Sequence, residues 1–225
     1  MKNDWDEKEL REKAEDMVAV TVPVNIHIEG KQRILDLTAA EKLLKSAHII
    51  SLGNCGCRTR IKKCDAPLDV CMCMDKKAED MIRSGDARAV SVREALNVLK
   101  RSHEAGLVHM AFTNRGDVKP WVICSCCSCC CHALASIVRF NIPEAVTESE
   151  RVAFQDTEKC NDCGICVERC QFRARRIVDG KLVFDRAKCF GCGLCVTACP
   201  TEAIFLAERP RARALLARLP RATSP

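Results

Sequence analysis

Between Asp156 and Ala203 the chain repeats itself at an offset of 29 residues. Asp156, Lys159, Cys160, Cys163, Gly164, Cys166, Val167, Cys170 and Ala174 fall on Asp185, Lys188, Cys189, Cys192, Gly193, Cys195, Val196, Cys199 and Ala203. Such duplication defines an architecture, because one supersecondary unit that cannot bury its open face alone buries it against its copy. Each copy carries C-x2-C-x2-C-x3-C, and the second ends in Pro200. Three cysteines at two-residue gaps wrap a tight loop round one face of a small inorganic body. The fourth thiolate has to come from elsewhere.

With these motifs, residues 152–208 resemble the bacterial dicluster ferredoxin domain, fused here as a C-terminal module of about a quarter of the chain. The resemblance implies two [4Fe-4S] clusters, with the fourth cysteine of each run crossing to the other cluster. Cys160, Cys163, Cys166 and Cys199 then hold one, and Cys189, Cys192, Cys195 and Cys170 the other. Gly164 and Gly193 stand where backbone passes close to a cluster and little side chain is tolerated. Loop N–H groups donating to sulfur, with burial and net charge, set the reduction potential, which the family leads one to expect to be low. Gln171 departs from the pattern, standing where the family often has Pro, and is followed by Arg173, Arg175 and Arg176. The two clusters are therefore expected to differ in potential, or else the arginines form a solvated face. Zinc is the competing occupant of any such thiolate set.

Nineteen cysteines, no tyrosine and two tryptophans mean that aromatic packing does not organise the whole interior. A secreted disulfide scaffold is disfavoured by the chain's length and by the odd cysteine number. The first residues, MKNDWDEKELREK, contain no apolar segment of a secretory signal, and no run reaches the 18 or so apolar residues of a membrane span. The expected location is cytoplasmic, with membrane attachment only through a partner. Five arginines between Arg209 and Pro225 account for most of the formal charge of +6. The body is near neutral, and thiolate-bound clusters would make it acidic. That weighs against nucleic acid as a partner.

Ahead of the repeat, Asp4 to Met17 reads as a helix. Val18, Val20, Val22, Val24, Ile26 and Ile28 follow at period 2, as an edge or bent strand because of Pro23. Thr38 with Glu41 and Ser91 with Glu94 form capping boxes that open helices reaching Ala47 and Gly106. Ile49–Leu52, Leu107–Phe112 and Trp121–Ile123 read as strands, Asn114–Asp117 as a turn, and 75–83 and 133–140 as helices. The weakly periodic stretch from Asn141 to Ser149 is the expected domain boundary. The fold class is therefore α+β: a Cys-rich helix-and-strand domain over 1–141, the dicluster domain with its pseudo-two-fold repeat over 150–208, and an Arg-rich tail over 209–225, read as a helix to Arg218.

The N-terminal domain holds two cysteine groups. Cys55, Cys57, Cys64 and Cys71 supply enough thiolates for one further iron-sulfur cluster, with zinc or redox-active thiols as alternatives. Cys124, Cys126, Cys127, Cys129, Cys130 and Cys131 form the second group, with Cys73 beside the first. Neighbours such as Cys126 and Cys127 point to opposite sides of a continuing strand, so they cannot all serve one cube without a sharp turn. Some complete the first site, hold a separate centre, or stay exchangeable. His109 and His132 could be ligands or proton donors, or plain core or surface residues; Met72, Met74 and Met81 read as packing.

The layout of C-x-C-R near residue 55, G-L-V-H from Gly106 to His109, and C-C-S-C-C-C before a ferredoxin pair is similar to that of ferredoxin-fused proteins from anaerobes. No dinucleotide fingerprint or P-loop is present, so electrons are expected from a redox partner protein. The leading expectation is an electron carrier or electron-transfer subunit rather than a stand-alone enzyme. A reductase or activator with a reactive N-terminal iron-sulfur or thiol centre is the second reading. A binding module with structural clusters and a nucleic-acid-contacting tail is the third.

Overall fold

The computed structural model describes residues 4–29 and 32–209. Helix α1 (Glu7–Asp16) leads into strand β1 (Met17–Thr21), and Pro23 separates β1 from β2 (Asn25–Glu29). The alternating run is thus bent into two strands of different sheets. β2 pairs antiparallel with β3 (Gln32–Asp36) in a hairpin that the sequence reading missed. Next come α2 (Thr38–Lys45), β4 (Ile50–Asn54), the short α3 (Gly56–Ile61), β5 (Asp69–Met74) and α4 (Asp75–Arg83). β6 (Ala87–Ala89), α5 (Val92–Glu104), β7 (Val108–Asn114), β8 (Val122–Cys126), α6 (His132–Phe140) and β9 (Val146–Thr147) complete the N-terminal part.

One seven-stranded sheet organises it, in the order β6-β4-β5-β8-β7-β1-β9. All neighbours are antiparallel except β1 and β9. β1 is therefore no edge strand, because β9 covers its outer side. That strand comes from the stretch expected to be a linker. Helix α5 lies over β4, β5, β7 and β8 and carries α2, while α1 packs on α6. Strand alternation puts Cys71, Cys73, Cys124 and Cys126 on one face of β5 and β8, and Met72, Met74, Ile123 and Ser125 on the other. Met72 and Met74 are buried core residues.

The two expected capping boxes differ. Ser91 caps α5, accepting the Glu94 N–H at 3.2 Å, but the Glu94 carboxylate pairs with Arg88 instead of reaching back. At α2 the box does not form. Leu37 is the N-cap, and Asp36 accepts both the N–H and the hydroxyl of Thr38, so an acidic side chain two residues earlier takes over the work.

The C-terminal part consists of β10 (Arg151–Gln155), α7 (Ile165–Glu168), β11 (Arg175–Val178), β12 (Lys181–Phe184), α8 (Leu194–Ala198) and β13 (Ile204–Glu208). β10 pairs with β13 and β11 with β12, so first and last strands close the unit around the two short helices. Arg209, assigned to the tail by sequence, belongs to this fold: it pairs with Glu148 at 3.1 Å and donates to the carbonyls of Ser149, Arg151 and Cys189. The rest of the tail lies outside the described residues. Among the described residues no helix is long and apolar enough to cross a membrane.

The ferredoxin-like unit is seated on the sheet domain by backbone contact. The Val24 N–H donates to the Cys192 carbonyl at 3.2 Å, and Phe172, Leu194 and Cys192 join the N-terminal hydrophobic core. Gly193 lies against Val24 so closely that a Cβ would stand 1.7 Å from the Val24 carbonyl oxygen. Gly164, its equivalent in the first repeat, has the same left-handed backbone but only Ile177 nearby, at 3.9 Å. The duplicated positions should therefore respond unequally. Gly164→Ala is expected to cost roughly 1–2 kcal/mol from backbone strain alone. Gly193→Ala should cost roughly 3 kcal/mol or more, because overpacking at the junction is added. Anaerobic denaturant unfolding of both variants tests this, and equal costs would show that the junction yields.

Candidate metal centres

Two cavities in the ferredoxin-like unit gather its eight cysteines. One is lined by Cys160, Cys163, Cys166 and Cys199, the other by Cys170, Cys189, Cys192 and Cys195. Each cavity thus takes three thiols from one repeat and the last cysteine from the other. Helices α7 and α8 start at Gly164 and Gly193 in left-handed backbone, which turns the chain sharply between the second and third cysteine of each run. Against the desolvation of its burial, the Thr201 side chain and the N–H groups of Thr201, Ala203 and Ile204 hold Cys199 below the ordinary thiol range. Burial pushes the Cys170 thiol up, opposed by the Ala174 N–H that donates to its sulfur at 3.3 Å. Sulfur rings bordered by N–H donors are the surroundings a cluster requires.

Arg175 is no solvated residue. It is 3% exposed, stacks on Phe184, and donates to Gln155 Oε1 at 3.0 Å. Its charge acts on Cys166 of one cavity and on Cys170 and Cys195 of the other, its side chain also approaches the Cys195 sulfur, and its buried Nη2 has no close acceptor. A buried, unpaired donor among thiols fits an anionic group in the cavities. Gln171, the departure from the family pattern, is a clasp: its Oε1 accepts the Ser128 N–H at 2.8 Å and its Nε2 donates to the Gly106 carbonyl at 3.0 Å. Proline could make neither bond. Arg169 adds donation to the carbonyls of His103 and Glu104.

The eleven N-terminal cysteines divide into two groups that cut across their order in sequence. Seven form a continuous chain of neighbouring thiols, Cys73, Cys71, Cys124, Cys126, Cys131, Cys57 and Cys55. The Cys71 and Cys124 sulfurs are 3.3 Å apart. Six of these thiols, all but Cys73, line one cavity with Phe112 and His132, and Arg58, Cys127 and Cys130 stand on its border; it is the cavity of the seven-thiol group. Cys55 and Cys131 stand at the N-caps of α3 and α6, where free N–H groups favour thiolate; at Cys55 the neighbouring Cys57 thiol and burial outweigh this and hold it well above the ordinary thiol range. Cys131 is held well below the ordinary thiol range by Cys126, Cys57 and the N–H groups of Leu134 and Ala133, and Cys124 is lowered to about 7 by Cys126 and Cys71. Their partner Cys57 is pushed up to about 12, chiefly by Cys131. The group shares its protons unevenly, as acids at close range must.

The remaining four, Cys64, Cys127, Cys129 and Cys130, form the second group, with their sulfurs within 4.8 Å of one another. Of the set expected from spacing, Cys55, Cys57 and Cys71 line one cavity, while Cys64 stands with the second group. β8 ends at Cys126, and the turn that follows, closed by the Cys131 N–H on the Cys127 carbonyl, carries Cys127, Cys129 and Cys130 to Cys64, with Cys127 and Cys130 still bordering the cavity of the first group. Arg58 stands between the groups, fully buried, with Nη2 3.6 Å from the Cys127 sulfur and also within electrostatic reach of Cys55 and Cys64.

His132 lines the seven-thiol cavity, its backbone N–H meeting the Cys57 sulfur and its ring lying 5.5 Å from that of Phe112. His109 is on the opposite sheet face. Its Nδ1 is 3.0 Å from the Ser125 hydroxyl, and its ring lies 5.8 Å from that of His103. His103, which the sequence reading did not single out, pairs with the Thr197 hydroxyl at 2.8 Å and so joins the two parts of the molecule. Only its position in the helix ending at Gly106 hinted at this.

A family model described as 4Fe-4S binding domain matches residues 153–176 and 182–205, one match over each repeat. No curated protein matches the chain. The C-terminal part is a ferredoxin-like iron-sulfur segment.

Burial lowers His103 to about 4 and His109 to about 3, from an ordinary 6.5. A depressed imidazole contributes its stability fully above the unfolded value and loses it as pH falls toward the folded one. Between about pH 6.5 and 4, each should cost roughly 1.4 kcal/mol of stability per pH unit. His109→Gln should reduce the slope of unfolding free energy against pH by that amount between pH 6.5 and 5.5. An unchanged slope would mean that His109 is protonated in the folded protein.

Proposed function

We propose that the chain is an iron-sulfur electron-transfer protein with two [4Fe-4S] sites in the ferredoxin-like segment and a further iron-sulfur centre in the seven-thiol cavity. The single observation that carries the reading is the order of the thiol cavities. The cavity of Cys160, Cys163, Cys166 and Cys199 is outermost, and Cys163 is exposed beside the exposed apolar side chains of Ile165, Ile177 and Val178. The cavity of Cys170, Cys189, Cys192 and Cys195 lies inward, against Val24 and the loop joined to Ser128 by Gln171. Ser128 lies between Cys127 and Cys129, and Cys127 and Cys130 border the seven-thiol cavity of the sheet domain, so that contact links the two.

Bound there, such clusters supply one-electron chemistry with little ligand movement. The residues supply the rest. The apolar rim around Cys163 offers a docking face for a redox partner protein. Gln171, Arg169 and His103 hold the segment in one position on the sheet domain, so the distance between cavities does not vary. Arg175, placed between the two four-thiol sets, stabilises added negative charge on either.

Iron and acid-labile sulfide in anaerobically prepared full-length protein test the reading. About twelve irons or more per chain are expected, eight of them in the ferredoxin-like segment. Cys126→Ser should lower the total without disturbing those eight. A wild-type content of eight, unchanged in the variant, would remove the N-terminal centre. Arg175→Met should make the potentials of the ferredoxin-like sites more negative, on the order of 40–90 mV, the one-electron equivalent of ~1–2 kcal/mol of lost charge interaction. Voltammetry of the full chain reads this directly, and unchanged potentials would make Arg175 a packing residue.

One observation favours a second reading, that of a reductase or activator: seven neighbouring thiols exceed the four that one cube needs. A change in the N-terminal centre's spectrum on adding an oxidised small molecule, absent in Cys126→Ser, would distinguish it from pure transfer.

A further inference from the structure

The second N-terminal group differs from every other thiol set in the molecule in its size. Four thiolates around a single ion at ~2.3 Å occupy the corners of a tetrahedron with edges of about 3.8 Å. The Cys64 sulfur is 3.7 Å from that of Cys127 and 3.9 Å from that of Cys130, and all four sulfurs, Cys129 included, lie within 4.8 Å of one another. A four-iron cube binds its thiolates through four separate irons and needs a wider ring. The molecule carries its own comparison: among the described residues, neither ferredoxin-like cavity contains a set this tight.

The surroundings are those of a closed structural ion. The backbone N–H groups of Ala66 and Lys63 donate to the sulfurs of Cys64 and Cys130, and Arg58 approaches Cys127 from the buried side while donating to the carbonyls of Pro67 and Ser125. Four thiolates around a divalent cation leave a net charge near −2, which the buried guanidinium partly neutralises. The chain from Lys62 to Pro67 has no regular structure, Leu68 beyond it is exposed, and of the loop's side chains only Cys64 and Ala66 pack partly against the core, so apolar packing accounts for little of its fixed position. An ion held by Cys64 and by the 127–130 turn would.

We propose that Cys64, Cys127, Cys129 and Cys130 bind one tetrahedral Zn2+, distinct from the iron-sulfur sites, that clamps the loop after α3 to the turn after β8. Zinc suits a site with four sulfur ligands, no open position and no redox task. Through Ser128 and Gln171 the same turn seats the ferredoxin-like segment, so the ion sets the platform on which that segment rests.

Metal content and X-ray absorption of the anaerobically purified full chain test the assignment. About one zinc per chain is expected, surrounded by four sulfurs at about 2.3 Å. Cys129→Ser and Cys64→Ser should each retain less than about a tenth of that zinc after dialysis against a chelator, with iron unchanged. Absence of zinc from wild-type protein that carries its iron would overturn the proposal. So would four sulfurs around a single iron in zinc's place, or variants that keep zinc while losing about four irons. The absorption measurement on wild-type protein stands even if a variant fails to fold.

Discussion

A fully buried guanidinium among thiols is the constraint on which much of this structure depends. Arg58 donates to two backbone carbonyls and approaches one sulfur, and no carboxylate among the described residues accepts from it. A buried charge without a counter-charge costs several kcal/mol. Neutral thiols would leave that cost standing, whereas thiolates gathered on metal remove it. The position of Arg58 between the two N-terminal cysteine groups is the one that the proposed anionic centres call for. Arg175 repeats the solution in the ferredoxin-like unit, where a second buried guanidinium lies between two thiol sets.

The sheet domain is built to present these thiols. Pairing of β5 with β8 aligns cysteines on one face, while methionine, isoleucine and serine on the other meet α5 and the buried histidines. Helices α3 and α6 begin on that cysteine face, so their free N–H groups point at sulfur. A single turn after β8 divides the remaining cysteines, three to one side and Cys131 to the other. A small change of direction in the backbone thus sorts one Cys-rich run into two thiol groups of different dimensions.

The junction between the two parts makes them one mechanical body. Close approach of Gly193 to Val24 leaves no room for sliding, and Gln171, Arg169, His103 and Arg209 add polar clasps around it. Each neutral hydrogen bond contributes only about 1 kcal/mol, but together they fix direction as well as contact. For one-electron exchange, a constant separation between sites matters more than strong binding. Under the proposed function, Gln171, the departure from the ferredoxin pattern, serves that constancy.

Sequence alone determined the duplicated unit, because its cysteine spacing is local and the crossing of the fourth thiol follows from a known motif. It also determined most of the longer helices and the three strands β4, β7 and β8, whose periodicity is local too, but not β5, β6 or the short strands of the C-terminal part. It foresaw the bend at Pro23 but neither β9 on the outer side of β1 nor the α2 cap, because a pairing partner such as β9 or a capping acid such as Asp36 changes the outcome without changing the pattern. The N-terminal thiol sets were beyond its reach. Cys64 joins Cys127 and not Cys57 because β5 and β8 are sheet neighbours and the chain turns after Cys126, and only tertiary structure can supply those two facts. Equal spacing along the chain carries no information about distance once the chain has folded back on itself.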